Sequence, residues 1–232
     1  MAVARRLQPS RSSPMPRSRV VAVAGPPVDV ALVLAIDSSG SVSEDRMRLQ
    51  IRGYLDAVGH PGFLTAVRAG THGRIAAAFV EWSDFARQSL AVDWTLIEDA
   101  TGVAAFTQTL QAAPHGTPGW TSISGAIDYS VRLLERGGFH SGRRVIDISG
   151  DGSNNDGRPV SEARDDAVAA GITINGLPIV EVEPDLERYY RDNVVGGPDS
   201  FVIVAHDIES FAQAVLRKLL LEVAGIRPPE RG

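Results

Sequence analysis

The stretch LVLAIDSSGSVSEDRM, Leu32 to Met47, sets five apolar residues directly against Asp-Ser-Ser-Gly-Ser. An apolar run of that length bounded by turn residues reads as a strand buried on both faces. Polar groups at its C-terminal end then stand at the rim of an open α/β sheet, where such folds place their ligands. The fold and the site are therefore one question: what Asp37, Ser39 and Ser41 point at.

Outward from that stretch, strand-like and helix-like signals alternate. Residues 28–37 read as the first strand, and Ser43 caps a helix whose first turn carries Glu44 and Asp45, which suit the helix dipole. Residues 74–82 and 88–97 read as two more strands. The short link at Ser83-Asp84 makes them an antiparallel pair at one edge. Helices are predicted near 99–112, 122–136, 159–170, 183–193 and 207–224, and further strands at 143–149, 172–179 and 200–205. Strands alternating with helices of this length predict an α/β, doubly wound, Rossmann-like sheet. It is mostly parallel, with one antiparallel edge strand and helices on both faces. Trp82 and Trp94 fall in strand-like segments and read as packing residues. Tyr189 and Tyr190, between Arg188 and Arg191, read as solvated packing on a helix face, with an exposed partner surface as the alternative.

The 232 residues suit one domain, 28–226, with a tail at each end (1–27 and 227–232), and 44% hydrophobic content supplies a sizeable core. No run approaches the roughly 18–20 apolar residues of a membrane span. The absence of cysteine excludes disulfides, thiolate metal sites and cysteine catalysis. Residues 1–20 hold five Arg and no acid, leaving 18 basic against 28 acidic residues elsewhere, a net of −10. An acidic body argues against nucleic acid as partner, because phosphate binding needs a basic face. The N-terminal segment reads as a disordered basic tail. The rival reading is a degenerate targeting segment, since Ala22-Val23-Ala24 has an A-x-A cleavage pattern behind too short an apolar core. The location is cytoplasmic on the first reading and exported on the second.

Three loops carry oxygen donors: Asp37-Ser38-Ser39-Gly40-Ser41, Gly119-Trp120-Thr121-Ser122, and Ser149-Gly150-Asp151-Gly152-Ser153. In a doubly wound sheet such loops share one edge. Carboxylates and hydroxyls are hard donors that suit Mg²⁺ or Mn²⁺ better than zinc. Three hydroxyls and two aspartates nearly complete a six-oxygen shell and leave a position for an outside ligand.

Asp37-x-Ser39-x-Ser41, then Thr121 in GWTSISGAI, then Asp151 in SGDGS resembles the metal-ion-dependent adhesion site (MIDAS) of von Willebrand factor type A domains. More narrowly, DSSGSV, EWS, DWTLI, GWTSISGAID and ISGDGSNNDGR resemble a bacterial family of such domains with no assigned function (DUF1194-like). The resemblance implies Asp37, Ser39, Ser41, Thr121 and Asp151 as metal ligands for Mg²⁺, or for Mn²⁺ or Ca²⁺. It also implies a protein partner that supplies an Asp or Glu carboxylate to the open position, while five scattered histidines and the lack of a G-x-S-x-G elbow or P-loop argue against catalysis. Two departures stand out: Trp120 replaces a glycine often found before the threonine, and SGDG replaces the commoner TDG. Neither removes a ligand oxygen.

Other readings compete. The serines after Asp37, or Thr121, would serve equally as helix caps. Asp151, Ser153, Asn155 and Glu162 partly mimic an EF-hand loop, although the glycine falls at 157 and a buried strand precedes it. An Asp ending a first parallel strand also suits a metal-dependent phosphoesterase, which wants a lysine to balance phosphate. The sole lysine, Lys218, lies in the last helix. A third possibility is a scaffold whose metal is purely structural.

Overall fold

The computed structural model describes residues 25–116 and 119–228. The segment up to residue 24 and the last four residues, both predicted as tails, lie outside the described residues. In chain order the elements are β1 (Pro27–Val28), β2 (Ala31–Asp37), α1 (Glu44–Gly59), α2 (Pro61–Arg68), β3 (Ile75–Trp82), β4 (Gln88–Ile97), α3 (Ala100–Ala112) and α4 (Ile123–Arg136). There follow β5 (His140–Ser141), β6 (Arg144–Gly150), α5 (Val160–Ala169), β7 (Thr173–Pro178), α6 (Leu186–Tyr189), a π-helical turn Tyr190–Val194, and α7 (Ile208–Ala224).

The main sheet has the order β4-β3-β2-β6-β7, parallel throughout except for the β3–β4 pair. β2 lies at its centre, and every residue of it is buried. Leu32, Leu34 and Ile36 pack with Tyr54 of α1, Phe63 of α2, Phe106 of α3 and Phe211 of α7. Val33 and Ala35 face the opposite core, with Ile127 of α4, Ala163 of α5 and Tyr190. Each such fully buried Leu or Ile contributes about 1.5–3 kcal/mol, so the central strand is fixed in depth and register. The register sets Asp37 against Trp82 of β3 and Ile36 against Ser149 of β6, which brings the ends of β2 and β6 to one edge. A doubly wound sheet with helices on both faces is what the alternating pattern predicted. Trp82 is fully buried and Trp94 packs edge-on against Phe139, as their strand positions suggested.

Three local expectations change. The helix predicted over 183–193 is a single α-turn followed by the π-helical turn. Its Tyr190 is completely buried rather than solvated, because Gly176 of β7 leaves room for its ring. The strand predicted at 200–205 survives only as isolated parallel bridges, Gly176↔Val202 and Ile179↔Ala205. Gly176 N–H donates to Phe201 O, Ile203 N–H to Gly176 O and Ala205 N–H to Pro178 O. The next rung would need an N–H on residue 178, which proline lacks. Finally, α2 was not foreseen: His60 Nδ1 accepts from Gly62 N–H and Pro61 starts the helix, but two turns are too few for periodicity to reveal.

A Cβ on Gly176 would lie 2.7 Å from Tyr190 Cδ1 and 3.0 Å from Val195 Cγ1. Gly176→Ala is therefore expected to destabilise by about 1–3 kcal/mol through overpacking, although alanine is the less flexible residue. Urea denaturation checks this, and a stability gain would contradict the packing described.

Candidate metal centre at the sheet edge

The loop after β2 is folded by its own polar groups. Asp37 Oδ1 accepts from Ser39 N–H (2.7 Å), and Ser38 N–H donates to Trp82 O (2.8 Å). Gly40 N–H reaches Gly119 O (2.9 Å) and ties this loop to the one carrying Thr121. The third loop locks the second. Asn155 Oδ1 accepts from Thr121 N–H (2.9 Å) while Asn155 N–H donates to Thr121 O (2.9 Å). Asn154 Oδ1 accepts from Ser124 N–H (2.9 Å), and Asp156 Oδ2 from Phe85 N–H (2.7 Å). These Asn and Asp oxygens are consumed in joining loops, and β6 precedes them, so the segment is not an EF-hand.

The capping alternative also resolves. Ser43 caps α1 through Arg46 N–H, and Ser122 caps α4 through Gly125 N–H. Thr121, Ser39 and Ser41 are left for another task. Their hydroxyls run in a chain: Thr121 Oγ1 to Ser39 Oγ (3.4 Å), Ser39 Oγ to Ser41 Oγ (3.3 Å), and Ser41 Oγ donating to Asp151 Oδ1 (2.7 Å). Asp37 and Asp151 are buried, and among the described residues the second carboxylate oxygen of each has no hydrogen-bond partner. All five residues singled out in the sequence thus meet at one point. Among the described residues no three His, Asp or Glu side chains form a metal-holding group, so hydroxyls make up the balance of this cluster.

Burial pushes the Asp37 carboxyl up to about 7, with the neighbouring Asp151 charge adding to the rise and hydrogen bonds from Ser39 opposing it. Two buried, charge-coupled carboxylates, each with an unpartnered oxygen, are costly unless a cation compensates them. Tyr190 was missed by sequence reasoning. A Cβ on Gly150 would stand 2.9 Å from Asp37 Oδ2 and 3.0 Å from the Tyr190 hydroxyl, so this ring backs the Asp37 carboxylate. Burial raises the Tyr190 hydroxyl well above its ordinary value and keeps it protonated.

The lysine that a phosphoesterase would need is engaged elsewhere. Lys218 is fully buried, with Nζ 2.5 Å from both Asp147 Oδ1 and Glu222 Oε1. Asn175 Nδ2 donates to the same Glu222 oxygen (2.9 Å). Burial, with the Glu222 charge, lifts Asp147 to about 7 against the pull of Lys218.

A family model described as "Protein of unknown function (DUF1194)" matches residues 27–227. The chain belongs to that family. No curated protein matches the sequence. Among solved structures this DUF1194 chain is similar to the von Willebrand factor type A protein from Catenulispora acidiphila, at 17% identity and TM-score 0.61, over 86% of this chain and 43% of that one. It is also similar to the vWF domain of the type V pili tip protein Mfa5 from Porphyromonas gingivalis, at 14% identity and TM-score 0.60, over 91% and 99%. A third match is proximal thread matrix protein 1 from the mussel byssus with a zinc-occupied MIDAS motif, at 14% identity and TM-score 0.59, over 85% and 46%. The chain spans about half the length of the mussel and Catenulispora chains. At these identities the likeness establishes the fold, a von Willebrand factor type A-like α/β domain.

Proposed function

We propose that this domain is a divalent-metal-dependent protein-binding module. Asp37, Ser39, Ser41, Thr121 and Asp151 would hold the ion, and a carboxylate from the partner would complete its shell. The observation that carries this reading is the pair of buried, unpartnered oxygens, Asp37 Oδ2 and Asp151 Oδ2, beside a chain of three hydroxyls. Oxygens bound to one Mg²⁺ at right angles lie about 3 Å apart, as follows from its 2.0–2.1 Å bond length. The oxygen–oxygen spacings along this chain run from 2.7 to 3.4 Å, which fits that range. The all-oxygen set favours Mg²⁺ or Mn²⁺. When bound, such an ion supplies attraction for a further hard anionic oxygen, the chemistry of a partner Asp or Glu.

The surroundings suit docking more than turnover. Trp120, next to Thr121, is 70% exposed and Phe85 is 53% exposed, which leaves apolar surface beside the centre. His115, at the same edge, is paired with the buried Glu81. The phosphoesterase alternative loses its lysine to the pair with Asp147 and Glu222. The structural neighbour whose MIDAS carries zinc is a byssus thread matrix protein, and another is a pilus tip domain; both support an assembly role.

The open position can be tested without knowing the partner. Adding acetate to a calorimetric Mn²⁺ titration is expected to tighten metal binding several-fold, because metal and carboxylate each favour the other's binding. Metal affinity indifferent to acetate would mean that no position is open and that the ion serves the fold alone.

A further inference from the structure

The last extended segment leaves one side of the sheet unpaired. Phe201 O and Ile203 N–H bond inward to Gly176, and Ala205 N–H bonds inward to Pro178. In extended backbone alternate residues direct their polar groups to opposite sides. Val202 and Val204 therefore present N–H and C=O outward, and no hydrogen bond reaches those groups among the described residues. Their side chains are anchored in the core with Tyr190 and Val194, so the edge is held in place.

This edge forms the floor of a trough of about 340 Å³. One wall is the α6 and π-turn segment, with Glu187, Arg191 and Val195; the other carries Arg217 of α7 and Arg227. Glu187 is spent on Arg191, at 2.6 Å. Arg217 is exposed and has no ion-pair or hydrogen-bond partner among the described residues. Arg217 thus leaves an uncompensated positive charge on the trough, whereas residues 21–232 carry a net of −10.

We propose that this trough binds an extended acidic segment of a protein partner by strand addition. The partner backbone pairs with Val202 and Val204, and a carboxylate on its alternate side chains meets Arg217. Main-chain bonds give such contacts their affinity, and alternate side chains give specificity. An unguarded edge invites pairing of some kind, but two copies of this chain would bring arginine-lined edges together. The complementary charge therefore favours an acidic strand over a second copy. This site is separate from the metal centre, and its occupancy is expected to be indifferent to EDTA.

The test uses a short synthetic peptide of alternating Glu and Val, a Lys–Val counterpart, and a backbone N-methylated Glu–Val peptide. Binding is read by protection of the Val202 and Val204 amides from hydrogen exchange, with EDTA present. The Glu–Val peptide is expected to protect both amides and to bind at least about tenfold more tightly than the Lys–Val peptide. N-methylation is expected to abolish binding, and Arg217→Glu, at an exposed position, to reverse the charge preference. Equal affinity for both peptides, or binding without protection at these amides, would overturn the proposal. Protection that grows with protein concentration alone, together with a dimer in light scattering, would also overturn it in favour of self-pairing.

Discussion

Lys218→Ala is expected to cost about 3–5 kcal/mol of folding stability, read by urea denaturation, the usual consequence of removing one partner of a buried ion cluster. The cation is held 2.5 Å from each of two carboxylates, none of the three groups is exposed, and Lys218 Nζ also lies 5.7 Å from the Phe201 ring. Without it, the carboxylate charge of the cluster is left in a dry interior with its desolvation uncompensated. Burial, with the neighbouring Glu222 charge adding to it and Lys218 opposing, is why Asp147 holds its proton up to about 7. The raised value fixes the sign of the pH dependence: the stability it brings is complete below pH ~4 and disappears as pH rises through about 7. Combining Lys218→Met with Asp147→Asn and Glu222→Gln is expected to recover most of the loss, because no charge then stays buried. A loss under about 1 kcal/mol in Lys218→Ala would mean that these carboxylates are hydrated.

Asp37→Asn is expected to separate stability from function. The metal-free protein must ionise a buried carboxyl whose value is lifted from 3.8 to about 7. Three pH units at ~1.36 kcal/mol each place the cost of the ionised form near 4 kcal/mol, an order-of-magnitude figure. Asparagine keeps the oxygen that accepts from Ser39 N–H and removes the charge. At pH 8 without metal, the variant is expected to be more stable than the parent by about 2–4 kcal/mol. The difference should close toward pH 4, where the parent carboxyl is neutral. Saturating Mg²⁺ at about a hundred times its dissociation constant should restore about 2.7 kcal/mol to the parent and nothing to the variant. A variant less stable than the parent at pH 8 would show that the protein itself, not an ion, satisfies this carboxylate.

The centre was legible because its residues are tied to strand ends. Asp37 ends the central buried run and Asp151 directly follows another, so alternation alone brought them to one edge. Thr121 was placed by motif, and the structure explains why it is not spent as a cap: its neighbour Ser122 has that role. What stayed hidden depends on contacts distant in sequence. Asn155 grips Thr121 across 34 positions, and the Tyr190 hydroxyl reaches the vicinity of Asp37 only because Gly150 lacks a side chain. The misjudged strand at 200–205 turns on a single missing N–H at Pro178, on a different element. The burial of Lys218 was equally invisible, since its two partners gather from β6 and from one turn along α7.

The most direct test of the central claim is calorimetric titration of Mg²⁺ and Mn²⁺ into chelator-stripped protein, beside Asp37→Ala and Thr121→Ala, with a small carboxylate present. One-to-one binding in the parent, lost in both folded variants, is the predicted result. Binding that survives in both variants, or is absent from the parent, would contradict a metal centre built from these three loops.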